Sequence, residues 1–147
     1  MKTYIGTKII EAEPEKRGEE TGFKVRYPDG YVSWSPTQPF EDAYQSTDAM
    51  SFGHAVELMK RGERVARKGW NGKGMFIALN FGSHDFGDDP APELIEGIPS
   101  ALFNEGDKGT VTRLPSFMMR TASGATLNGW LASQSDMLAR DWQLVGE

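Results

Sequence analysis

The sequence predicts an α+β protein: a small antiparallel sheet packed by an amphipathic helix, preceded by an N-terminal β-β-β-α module. Three observations lead there. Phe23-Lys24-Val25-Arg26-Tyr27 alternates with period two, turns at Pro28-Asp29-Gly30 and returns through Tyr31-Val32-Ser33-Trp34, which is a hairpin pattern. Phe52, Ala55, Val56 and Met59 recur at i, i+3, i+4 and i+7, one apolar stripe of a helix lying on a sheet. The later segments order as α-β-β, a long loop, then β-β-short α-β, which suits an antiparallel sheet with helices to one side.

Taken in order, Tyr4 to Glu11 mixes β-branched and aromatic residues and reads as a strand. The polar stretch from Glu13 to Gly22, with Pro14 and Gly18, reads as a loop before the hairpin. Pro39 opens a short helix through about Tyr44, with Phe40 and Tyr44 on one face. The polar run Gln45 to Ala49 then separates residues 1–48 from residues 49–147. Ser51 caps the amphipathic helix, which runs to about Arg61 and stops at Gly62. His54 falls off the apolar stripe and is expected to face solvent.

Glu63 to Lys68 and Met75 to Asn80 read as strands, joined by the turn that contains Trp70. From Phe81 to Arg113 the pattern dissolves among prolines and glycines, with Leu94-Ile95 and Ala101-Leu102-Phe103 as apolar anchors. A structureless connection of that length reads either as a lid or oligomer contact, or as a surface insertion. Ser116 to Thr121 and Thr126 to Leu131 pair around an Ala122-Ser123-Gly124 turn. Ser133-Gln134-Ser135-Asp136 has capping-box spacing, with Asp in the third position, and opens a helix through about Ala139. Trp142 to Val145 is the last strand.

Composition narrows the function. With 147 residues, 38% hydrophobic and 25% charged, the chain can bury one core or two small ones. A net charge of −5, with its 16 Lys and Arg dispersed, argues against general nucleic-acid binding but leaves room for a small anion held by local cations. There is no cysteine, and His54 and His84 are the only histidines, so neither a zinc site nor any other metal or cofactor is expected. No window approaches the roughly 18 apolar residues of a membrane span, and the N-terminus lacks a signal-peptide pattern, so a cytoplasmic protein is expected.

Catalytic motifs are equally scarce. No serine lies in a G-x-S-x-G elbow, and the glycines around Trp70 match neither phosphate-loop pattern. Asp88-Asp89 reads as a solvated loop in preference to a cation site. What stands out is Arg67-Lys68-Gly69-Trp70-Asn71-Gly72-Lys73-Gly74-Met75-Phe76, an aromatic in a glycine-rich turn among cations. Backbone N–H groups there can approach an anion, and an indole offers a face on which a base can stack. Asn71-Gly72 is also a strong type I′ hairpin signal, so a plain hairpin with Trp70 in the core stays open beside that reading. Arg120-Thr121 and the Ser133 to Asp136 cap after Trp130 add a phosphate-gripping guanidinium, free helical N–H groups and an amide that can read base edges. Capping and core packing stay open as the plainer roles of Ser133, Asp136, Trp130 and Trp142.

On these residues the chain resembles the phage Thoeris anti-defence proteins of the second type, the Tad2-like sponge family, from about Met50 to Val145. The matching elements are Phe52-Gly53-His54-Ala55, the Arg67 to Phe76 turn, Met119-Arg120-Thr121, and Trp130 through Trp142. Two departures are Ala132 where the family carries Pro, and Arg140 where it carries an acidic residue. The resemblance implies a non-enzymatic, homotetrameric protein of the infected host's cytoplasm, with pockets at subunit interfaces. It implies sequestration of glycocyclic ADP-ribose, the cyclic ADP-ribose isomer of Thoeris signalling, with cyclic dinucleotides of CBASS-type systems as a second ligand class. The ligand residues expected are Trp70, Asn71, Gly72, Lys73, Met75, Arg120, Thr121, Trp130, Ser133, Gln134 and Asp136. Residues 1–48 resemble a small phage module. An enzyme that degrades cyclic nucleotide signals and a virion or assembly protein are the competing readings.

Overall fold

In the computed structural model, the described residues are 1–82 and 114–146. The expectations for the long segment after Phe81, Asp88-Asp89 and His84 included, lie outside them. The chain forms two compact units, Met1–Ser46 and Thr47–Glu147.

In the first unit β1 (Glu11–Arg17), β2 (Glu20–Arg26) and β3 (Val32–Pro36) make an antiparallel sheet in that order, followed by α1 (Thr37–Ala43). The β-β-β-α order is as expected, but the first strand is not where composition put it. Residues 1–10 carry no regular secondary structure, and the expected loop supplies β1, its turn and the start of β2. The reason is pairing. Glu13 faces Lys24 in register with a 3.0 Å ion pair, and Glu11 pairs with Arg26. Opposite charges facing each other on neighbouring strands favour this register even where each exposed pair is worth little. Gly18, at φ 61°, makes the tight turn between Arg17 and Glu20. Pro14 is tolerated because β1 is an edge strand. Tyr4 and Ile5, with good β propensity, are 85% and 97% exposed, and propensity without a packing partner does not make a strand.

One face of this sheet carries the small core. Val25 is buried, and Phe23 stacks on Phe40 of α1 at 4.1 Å, with Tyr44 beyond it at 5.1 Å. Helix α1 starts at Thr37, two residues earlier than expected, and accommodates Pro39 in its first turn, where no intrahelical N–H bond is lost. On the opposite face Trp34 lies across Gly22. A Cβ at position 22 would sit 2.7 Å from Trp34 Cε2, so only glycine permits that approach. The indole Nε1 donates to Glu15 O at 3.0 Å, and the Arg17 guanidinium lies 5.2 Å from the ring centre.

The second unit is a five-stranded antiparallel sheet ordered β7-β6-β5-β4-β8. Its elements are α2 (Phe52–Met59), β4 (Val65–Arg67), β5 (Phe76–Asn80), β6 (Ser116–Arg120), β7 (Thr126–Asn128), α3 (Gln134–Leu138) and β8 (Trp142–Leu144). Ser51 Oγ accepts from the His54 N–H at the start of α2, and Gly62 at φ 88° ends it, its N–H donating to Met59 O. Ala55, Leu58 and Met59 are buried against Val65, Ile77, Met119, Met50 and Trp142, while Phe52 and Val56 are half-buried at the rim. The helix is thus rotated slightly from the expected stripe, toward Leu58, and His54 is half-buried instead of solvated. Strand β8 returns along β4 with Arg67 opposite Trp142, and Met50 and Trp142 exchange backbone hydrogen bonds of 2.7 and 3.1 Å. The last residues of the chain therefore seal the core beside the first residues of the unit.

Gly22→Ala should destabilise the first sheet by about 1–3 kcal/mol, the usual cost of forcing an extra carbon into a packed site. Faster amide hydrogen exchange across β1, β2 and β3 checks it, and unchanged protection there would show that both Trp34 and the Ser35 backbone of β3 yield freely.

Candidate functional site

At one end of the second sheet β4 and β6 finish while β5, β7 and β8 begin, so three connections gather there. The link from β4 to β5 spans residues 68–75 and is a series of turns. It is not a type I′ hairpin, because Gly74 and not Gly72 holds a left-handed φ, at 72°. Gly72 is needed for closeness. A Cβ there would lie 2.6 Å from the Ala122 Cβ and 3.0 Å from Met75 Cγ, so this link packs directly on the β6–β7 turn. Thr121 builds that turn: its Oγ1 accepts from Ala125 N–H at 3.1 Å and lies 3.0 Å from Ser123 Oγ.

Trp70 is half-buried and stands edge-on to Trp142, with ring centres 5.4 Å apart at 80°, and to Trp130, 6.1 Å apart at 71°. Trp130 meets Trp142 in the same manner at 6.4 Å, and Phe52 and Phe117 continue the cluster. Edge-to-face contacts place the positive rim of one ring on the negative face of the next, so each ring orients its neighbour. Trp142 is completely buried, and its Nε1 donates to Asp136 O at 2.9 Å; it anchors the cluster and is closed to any ligand.

An ion-pair network ties this cluster to the helix cap. Arg67 Nε donates to Asp141 Oδ1 at 2.9 Å and Nη1 to Asp136 Oδ1 at 2.8 Å. Asp141 Oδ2 accepts from Gly69 N–H at 3.0 Å. Asp136 Oδ2 accepts from both the N–H and the hydroxyl of Ser133, at 3.2 and 2.8 Å, and Ser133 Oγ accepts from Asp136 N–H, so the capping box forms as its spacing predicts. The Asp141 carboxyl is held below the usual range chiefly by Arg67. For Asp136 burial is the largest influence and pushes upward, but the hydrogen bonds from Arg67 and Ser133 together outweigh it. Asp141 and then Asp136 in turn hold Arg67 more firmly protonated.

These contacts sort the residues singled out by sequence. Trp70, Trp130, Ser133 and Asp136 come together around Trp142, with Ser133 and Asp136 committed to the cap and to Arg67. Gly72 and Met75 are half-buried at the turn base, and Asn71, Lys73 and Gln134 are exposed. Arg120 does not join the aromatic cluster. It pairs in register with Phe76 and Thr126, on the sheet face opposite Ile77 and Met119, and its guanidinium lies beside Gly124. Arg67 and Asp141 were not among the site residues read from sequence. From sequence Arg67 reads as one of the turn's cations; its Asp141 partner lies 74 positions away, a pairing visible only once β8 lies on β4.

Among the described residues there is no group of three or more His, Asp or Glu able to hold a metal ion, and no helix long and apolar enough to cross a membrane. Fold and site define a small α+β domain whose sheet end carries a clamped tryptophan turn. The model of the Thoeris anti-defense 2-like domain, Tad2-like, matches residues 50–145, and the chain belongs to that family. It is similar to "Thoeris anti-defense 2" of Bacillus phage SP01, 36% identical over 96 residues that cover 65% of this chain and 94% of that protein.

Gly72→Ala should push the turn off Ala122 and cost about 1–3 kcal/mol in urea unfolding, as overpacking does; an unchanged midpoint would mean the turn relaxes without loss. Acid should expose the ion-pair network. Because both carboxyls are lowered in the folded state, the stability they contribute is complete above the ordinary carboxylate range and is lost as pH falls through the lowered values. Arg67→Gln removes the main opposing charge, so the acid transition followed by tryptophan fluorescence should move to higher pH, and a transition that stays in place would refute the assignment.

Proposed function

We propose that this protein is a phage anti-defence sponge that holds glycocyclic ADP-ribose without cleaving it, with cyclic dinucleotides as a second ligand class. The observation that carries the reading is the Trp70 turn, an indole oriented by Trp142 and Trp130 with exposed Asn71 and Lys73 beside it. The family match, and the printed name of the phage relative, support the direction of that reading.

In this assignment Trp70 stacks on a base, with Trp130 next to it. Asn71, Lys73 and Gln134 supply polar contacts, and the backbone of Gly72 and the side chain of Met75 shape the floor. Ser133 and Asp136 hold the α3 N-terminus in place, and Thr121 holds the facing turn. Arg120 points away from the cluster within one chain, so its role on phosphate belongs to a pocket completed by a neighbouring copy in a homotetramer. Binding tight enough to withhold a signal needs a pocket formed in advance, because ordering loops at the moment of capture costs affinity. The protein acts in the cytoplasm of the infected host, and the small N-terminal unit serves docking or assembly.

Two measurements test this. Protein incubated with glycocyclic ADP-ribose and then heat-denatured should release intact ligand; cleaved ligand would make it an enzyme. Trp70→Ala should weaken capture by roughly 1–3 kcal/mol in calorimetry, the usual worth of a base stacked on an aromatic ring, and unchanged affinity would remove Trp70 from the site.

A further inference from the structure

Arg67 has no place among the ligand contacts assigned above, and its surroundings explain why. One guanidinium lies between two carboxylates, so the local balance is negative and the group is a poor partner for a phosphate. Each carboxylate also carries a stretch of backbone. Asp141 holds the N–H of Gly69, immediately before Trp70, and Asp136 holds the N–H of Ser133 at the α3 cap. Trp70 N–H in turn donates to Arg67 O at 3.3 Å, closing the turn onto the residue that anchors it. The three side chains are 15–32% exposed, shielded enough for directional hydrogen bonds to persist against water.

From this geometry we infer that Arg67 is the positioning residue of the ligand site: it presets the Trp70 turn against the α3 cap, so that the indole platform stands ready before a ligand arrives. The inference rests on the reading that Trp70 meets a cyclic nucleotide. Lysine cannot take over, because a single ammonium lacks the planar fork that reaches two carboxylates at once. In Arg67→Lys the turn samples other arrangements, and apparent affinity falls in proportion to the fraction that remains competent.

The test uses the full chain and glycocyclic ADP-ribose, followed by stopped-flow tryptophan fluorescence. If about a tenth of Arg67→Lys molecules hold the competent turn, the apparent Kd rises about tenfold. That loss should lie in the association rate, with little change in dissociation. A rise in the dissociation rate with unchanged association would mean that Arg67 touches the ligand itself and would overturn the inference, as would unchanged affinity. Amide exchange at Gly69 in ligand-free protein gives a second, independent reading: it should be slow in the wild type and faster in Arg67→Lys, and equal rates refute positioning. If the wild type fails to bind glycocyclic ADP-ribose, the proposed function falls and the exchange result decides the role of Arg67. Should Arg67→Lys not fold, Asp141→Asn, which keeps the shape and removes the charge, carries the same expectations.

Discussion

The guanidinium of Arg67 joins three stretches of chain that are distant in sequence: the end of β4, the N-terminus of α3 and the entry to β8. Without that junction the polar ties between the Trp70 turn and the α3 cap would be lost. The turn would then be held by its packing on Ala122, Trp130 and Trp142 and by the Lys68 N–H bond to Asp141 O, beside β4 and β5 strands that share the single register pair Val65 with Ile77. A partly buried ion pair contributes less to stability than its Coulomb energy suggests, since both partners give up water. Its value here lies in direction. The planar fork allows one arrangement of Asp136 and Asp141, and each of those then fixes a backbone N–H.

The same frame holds the aromatic cluster. Trp142 is buried beneath, donates its indole N–H to the carbonyl of Asp136 and presents its ring to both Trp70 and Trp130. The same aspartate therefore takes part in the cap, the ion pair and, through its backbone, the aromatic floor. The polar side chains of Arg67, Ser133, Asp136 and Asp141 are thus engaged with one another and with the backbone, while Asn71, Lys73 and Gln134 stay exposed and Trp70 half-buried.

The first unit teaches a different lesson about pattern. Hydrophobic alternation located β2 and β3, because Phe23 and Val25 bury on one face while Lys24 and Arg26 stay outside. It placed β1 too early, since Glu11 to Arg17 has almost no apolar signal and is ordered by facing charges on β2 and by the Gly18 turn. Edge strands are routinely this polar, because pairing satisfies one side of the backbone and water the other. Gly22 likewise reads as an interruption of a strand, when its missing side chain makes room for Trp34.

By itself the sequence determined whatever depends on neighbours along the chain. It set the capped helix that begins after Ser51, the Pro28 to Gly30 turn, the capping box of Ser133 and Asp136, and the glycine-rich setting of Trp70. Each follows from backbone preferences and local hydrogen bonds within a few residues. Tertiary structure decided which partner each long-range group would meet. It turned Arg67 from a cation of the turn into a clamp on two aspartates, made Gly72 a point of contact with Ala122, and placed Arg120 on the far face of the sheet. Strand register made those choices. A shift of one residue reverses the face a side chain occupies, and the burial that selects the register, with Trp142 fully buried against Phe52, Trp70 and Trp130, exists only once the sheet has closed.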